Sequence, residues 1–126
     1  MINRTCAFTA GLTLWAAGAI AADAMPSSVA LRNGVFTDSK GMTLYIAGTD
    51  RTPNTSDCYD NCVHNWPAFN AAEGDRDSGG WKIIIRADGT KQWAYRGKPV
   101  YRFLLDRDAG DIKGDGIGNV WHAVRP

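Results

Sequence analysis

The chain has 126 residues and carries 14 Lys plus Arg against 13 Asp plus Glu, a formal net charge of +1. So balanced a surface excludes a general electrostatic grip on nucleic acid or anionic lipid. The length allows one domain with a modest core.

Residues 1–24 read as a cleaved secretory signal. Arg4 precedes an apolar run from Cys6 to Ala22, and two small-x-small triplets follow, Ala19-Ile20-Ala21 and Ala22-Asp23-Ala24. The mature chain is expected to start near Ala22 or Met25, in the periplasm or outside the cell. The run is short and rich in Ala, Gly and Thr for a permanent span. Cys6 stands at its start, where a lipid-attachment cysteine would stand at its end, so no lipid anchor is expected. Removing Arg4 and Asp23 leaves the charge balance unchanged. Eleven aromatic residues remain, four of them Trp.

Beyond the signal no long helical stripe occurs. A strand is predicted over 34–37, a turn over 38–41 and a strand over 42–47. Asp57 is placed to cap a short helix over 58–65 that ends before Pro67. Residues 70–80 are small and polar and read as a loop. A second hairpin spans 81–86 and 91–95 around Asp88-Gly89. A turn over 96–99 leads into an apolar run over 100–105. Residues 106–119, dense in Asp and Gly, form another loop before a last strand over 120–124.

The two halves resemble each other. The stretch Gly41-Met-Thr-Leu-Tyr45-Ile-Ala-Gly-Thr-Asp50 aligns with Gly97-Lys-Pro-Val-Tyr101-Arg-Phe-Leu-Leu-Asp106, and each is followed by a loop and a Trp, Trp66 and Trp121. The expected fold class is therefore mostly β, a small β domain with one short helix over 25–126. It is built from two internal repeats of a hairpin-plus-loop unit, about 29–70 and 81–126, whose apolar faces bury each other.

Tyr101-Arg-Phe103-Leu-Leu-Asp106 fits a Tyr-x-aromatic-x-x-Asp motif. Its setting is Gln92 to Tyr101 before it, and Gly110 to Gly114 with Trp121-His122 after it. The first half offers Thr43-Leu44-Tyr45, Cys58-x-x-x-Cys62 and Trp66-Pro67. Together these resemble a bacterial secreted repeat family of unknown function, often described as predicted lipoproteins with a conserved Tyr-x-(Phe/Trp/Tyr)-x-x-Asp motif. The resemblance implies export and a repeat architecture and brings no established activity. It picks out Tyr45, Asp50, Tyr101, Phe103 and Asp106. The first copy departs from the motif, with Ala47 where an aromatic is called for.

CYDNCVHNW, residues 58–66, raises the sharpest chemical question. Attachment of a c-type haem needs Cys-x-x-Cys-His, and here the gap is three and Val63 intervenes. Thioredoxin-like chemistry needs Cys-x-x-Cys in a βαβ setting, which is absent. A soft-metal site, copper above all, could draw on Cys58, Cys62, His64 and a distant His122. In an oxidising compartment a Cys58–Cys62 disulfide is the favoured reading, contributing about 2 kcal/mol by loop closure.

Asp50 and Asp106 invite an acid–base reading. Turn stabilisation is the plainer one, with Asp106 accepting backbone N–H groups of the following loop. Asp106, Asp108, Asp111 and Asp115 miss the EF-hand spacing, so a solvated loop outranks calcium. Trp66 and Trp121 are expected in the core. Trp93 and Tyr95, on one face of a hairpin strand, are expected to be exposed and to offer a ligand surface.

The favoured reading is a non-enzymatic envelope module without a cofactor, binding an envelope protein or a small ligand. A periplasmic copper binder is second. An enzyme is third, because no nucleophile–base arrangement can be read. Intact mass of the exported protein should show a start near Ala22 or Met25 and the loss of two hydrogens. A metal adduct with free thiols would reverse the first two readings.

Overall fold

The computed structural model describes residues 24–126 together with residue 7 and residues 9–12. The expected signal, residues 1–24, lies for the most part outside the described residues. Among the described residues no helix is long and apolar enough to cross a membrane.

The described residues are mostly β, as expected, with seven short strands in small sheets and one short α-helix among them. Strands β1 (Val29–Arg32) and β2 (Val35–Asp38) form an antiparallel hairpin. Its two-residue turn is Asn33-Gly34, with φ of 50° and 79°. Both residues adopt the left-handed conformation that this turn demands, which Asn and Gly tolerate best. This hairpin stands in addition to the expected elements. The turn expected over 38–41 follows β2, where Asp38 N–H donates to the Met42 carbonyl at 2.9 Å and Gly41 N–H to the Asp38 carbonyl at 3.0 Å. Beyond it comes β3 (Tyr45–Ala47).

In the second half β4 (Trp81–Ile85) and β5 (Lys91–Tyr95) form the expected hairpin, and β6 (Lys98–Pro99) adds a third strand beside β5. The run over 100–105 is not a continuous strand. Within it Tyr101 makes isolated bridges to Tyr45 and Ala68. The chain closes with β7 (Trp121–Ala123).

The repeats are not two separate units set side by side. Strand β3 of the first repeat pairs with β7 of the second, Tyr45 opposite Ala123. In the corresponding place Tyr101 of the second repeat faces Ala68 of the first. The same exchange runs through the backbone hydrogen bonds. Phe36 N–H donates to the Val124 carbonyl at 2.8 Å, and its counterpart Trp93 donates to Phe69 at 2.9 Å. Val124 donates to Leu44 as Phe69 donates to Val100, both at 2.9 Å. Leu44 donates to Phe36 at 3.0 Å as Val100 donates to Trp93 at 2.9 Å. The halves are thus interleaved about a local twofold axis. It passes between Tyr45 and Tyr101, whose backbones exchange reciprocal N–H to carbonyl bonds of 2.8 Å.

Alternation along these strands sorts the core into two clusters. Leu44 and Val100 point into one, with Val29, Phe36, Phe69, Trp81, Trp93, Tyr95 and Val124. Tyr45 and Tyr101 point into the other, with Ala47, Cys58, Trp66, Trp121 and Ala123. The expected exposure of Trp93 and Tyr95 is corrected here, since they are 0% and 6% exposed. They do share a face of β5, but β5 is the middle strand of its sheet and that face is the inner one. Tyr95 lies 5.0 Å from Phe36 and 4.8 Å from Trp81, ring centre to ring centre.

The second cluster is so close-packed that one glycine is obligatory. A Cβ on Gly114 would lie 2.8 Å from the Trp66 ring and 2.9 Å from the Tyr45 ring. Gly48 has no such neighbour, its would-be Cβ standing 3.5 Å from the Val120 carbonyl oxygen. Gly114→Ala should therefore cost about 1–3 kcal/mol of overpacking strain. Urea unfolding should separate it from a Gly48→Ala control that stays close to wild type.

Candidate functional site

Each tyrosine at the local axis reaches the aspartate of the opposite repeat. The Tyr45 hydroxyl donates to Asp106 Oδ2 at 2.5 Å, and the Tyr101 hydroxyl donates to Asp50 Oδ2 at 2.6 Å. The second carboxylate oxygen of each aspartate holds its own following loop. Asp106 Oδ1 accepts Lys113 N–H at 2.9 Å, and Asp50 Oδ1 accepts Asp57 N–H at 2.8 Å. Both aspartates are buried, at 7% and 2% exposure. The turn-stabilising role expected for Asp106 is present, and a cross-repeat bond that spacing alone did not suggest stands beside it. Ala47 does not weaken the first copy's hydrogen bonds.

Burial, reinforced by the carboxylate that each hydroxyl faces, pushes both phenol pKa values well above the ordinary tyrosine range. These groups stay neutral donors and are poorly suited to give up protons at working pH. Phe103 plays a packing part. It stacks on Trp66 at 4.3 Å, and Trp66 stacks on Trp121 at 3.9 Å with planes 4° apart. Trp66 and Trp121 are buried, as expected.

Cys58 and Cys62 form a disulfide, with Cα atoms 5.2 Å apart. The helix here is shorter than expected, α1 (Asn61–Asn65), and Asp57 does not cap it. The reason lies in the backbone: Asp60 takes a φ of 54°, outside the right-handed helical region, so the chain turns helical only after it. Cys58 precedes the helix, while His64 is exposed on α1 and His122 is exposed on β7. The structure does not assemble these four residues into a metal centre. Among the described residues no group of three or more His, Cys, Asp or Glu side chains is placed to hold an ion.

The two halves differ most beside the disulfide. Arg86, only 5% exposed, inserts its guanidinium between the halves. It donates to Ser56 Oγ at 2.9 Å, Gln92 Oε1 at 2.7 Å and the Cys58 carbonyl at 2.5 Å, and lies over the Tyr59 ring at 4.4 Å. Ser56 in turn donates to the Tyr101 hydroxyl, whose own proton is on Asp50. Nothing local marks Arg86, which reads as an ordinary polar residue leading into a turn.

In the other half the corresponding place is open. A cleft of about 400 Å³ lies between the β1–β2 hairpin and the loop after Asp106. Val35 and Ile112 line it where Gln92 and Ser56 stand in the filled half. Arg32 and Arg125 also line it, and Thr37, Gly41, Thr43 and Gly110 are part of its wall.

Fold and site together define a two-repeat β domain whose repeats complete each other at a Tyr–Asp crossing. The model of a family described as a secreted repeat of unknown function matches residues 30–70 and 82–125, more than half of the chain. The chain belongs to that family, and the description fits an exported protein. No curated protein and no solved structure matches it.

Tyr45→Phe and Tyr101→Phe should each destabilise the fold by about 1–3 kcal/mol, because a buried carboxylate loses its donor. Denaturant melts would measure this. The raised phenol pKa values also set a pH dependence. Their stabilising contribution is whole below the unfolded value of about 10 and falls as the pH climbs above it. Alkaline absorbance titration should find Tyr45 and Tyr101 un-ionised until the domain unfolds.

Proposed function

We propose that this protein is a non-enzymatic binding module of the periplasm that receives a small ligand in the cleft beside Arg32. The observation that carries the reading is the broken symmetry between the halves. One slot is plugged by the chain's own Arg86, with every polar neighbour bonded, while its counterpart is an open cleft. Volumes of this size are typical of small-ligand sites. The non-enzymatic character is supported by how the buried polar groups are engaged. Tyr45, Tyr101, Asp50 and Asp106 hold one another and their loops, and the phenols are tuned away from proton transfer.

A fragment screen by amide NMR tests this, using neutral and charged small molecules. Shifts should gather at Val35, Gly41, Gly110 and Ile112, and should vanish in Ala109→Phe, which fills the cleft from its exposed rim. Shifts scattered elsewhere, or surviving in a folded Ala109→Phe protein, would overturn the proposal. Shifts gathered on another face only in the presence of an envelope extract would point to a protein partner instead.

A further inference from the structure

We infer that the cleft selects a small amphiphilic anion, with a carboxylate or phosphate head on Arg32 and an apolar body against Val35 and Ile112. This rests on the reading of the cleft as a ligand site and adds the class of ligand.

The filled half shows what the slot does with a cation. Arg86 is held there by three acceptors, Ser56 Oγ, Gln92 Oε1 and the Cys58 carbonyl. In the open half the two side-chain acceptors are replaced by Ile112 and Val35, which accept nothing. A buried cation there would lack partners, a costly state. The chemistry of the slot is changed: Val35 and Ile112 stand where acceptors stood, the Thr37 and Thr43 hydroxyls in its wall already donate to the Asp38 and Asp111 carbonyls, and cations stand at the rim.

Arg32 is the cation without a partner. It makes no hydrogen bond or ion pair among the described residues, leaving all five guanidinium N–H donors available. Its head is nonetheless positioned against the wall. A Cβ added to Gly41, which has φ of +83°, would lie 3.0 Å from Arg32 Nη1 and 3.6 Å from Cζ. The absence of a side chain at Gly41 lets the guanidinium lie there. Its planar fork matches carboxylate and phosphate oxygens two at a time.

Arg125 supplies a second, fixed cation. Nη2 donates to Asp115 Oδ2 at 2.9 Å and Nη1 to the Ala123 carbonyl at 3.3 Å. Asp38, Asp111 and Asp115 on the surrounding elements are already engaged, while Asp108, beside Ala109, is exposed and stands outside the lining. Asp38 accepts Lys40 and Met42 N–H groups and faces Arg102 at 3.8 Å. Asp111 accepts Arg107 and Asp108 N–H groups, which hold its carboxyl below the usual range, and Lys113 lies 3.7 Å away. Asp115 accepts Ala123 N–H beside Arg125. Among the described residues no acidic side chain lines the cleft to neutralise Arg32.

Benzoate, phenyl phosphate and the neutral isostere benzamide test this by NMR titration on the wild-type domain, Arg32→Gln and Arg32→Lys. Arg32 is exposed and unbonded, so both variants should melt as wild type does. Benzoate or phenyl phosphate should bind saturably at the cleft amides, at least about tenfold more tightly than benzamide, and weaken as salt is raised. Arg32→Gln should lose about tenfold or more, with Arg32→Lys between it and wild type. Benzamide binding as well as benzoate, or an Arg32→Gln protein with unchanged affinity, would overturn the anion assignment and leave the cleft a ligand site. If neither these probes nor the neutral fragments move the cleft amides, both readings fall.

Discussion

The exchange of partners at Tyr45 and Tyr101 is the constraint on which the rest of the domain depends. Their backbones bond each other, and each side chain is satisfied only by an aspartate of the other repeat. A buried phenol and a buried carboxylate are each costly alone and favourable together. Neither repeat can therefore meet its own polar requirements. The crossing also fixes the register of everything outward from it. Leu44 and Val100 are forced to the opposite face, where the large aromatic cluster forms, and the Asp-held loops carry the disulfide and the cleft to their places.

Much of this was legible in the sequence because it rests on local chemistry. Asp88-Gly89 marks its hairpin, the recurrence of Gly, Tyr and Asp marks the repeat, and two cysteines in an exported chain mark the disulfide. Asn33-Gly34 marks a further hairpin that went unclaimed although its signal is among the strongest short ones. What the sequence concealed is non-local. Alternation placed Trp93 and Tyr95 on one face of a strand but could not show that Phe36 and Trp81 cover that face, or that Gln92 and Ala94 on the other are buried as well. The helix begins later than its cap residue suggested because Asp60 takes a left-handed φ of 54°, which nothing in the local spacing announces.

The candidate site was the least legible part for the same reason. The favoured reading of Cys58 and Cys62, a disulfide, is what the structure holds, while the second reading, a metal site with His64 and His122, meets two separated exposed rings. The residues that distinguish the halves are an arginine beside a turn and two aliphatic residues, Arg86, Val35 and Ile112. None is unusual in sequence. They matter only through superposition of the repeats, which sets Gln92 against Val35 and Ser56 against Ile112. A comparison of one half with the other is what reveals an inverted polarity at a shared position.

Because each repeat finds its valences in a second copy, a chain of one repeat could reach the same architecture as a symmetric homodimer. Such a dimer must treat its two slots alike, both plugged or both open. Joining the copies in one polypeptide releases them from that equality. One slot is then free to become internal reinforcement, with Arg86 as its keystone, while the other keeps an accessible mouth. On this view covalent duplication is what allows a symmetric scaffold to divide the labour of holding itself together and meeting the outside between its two ends.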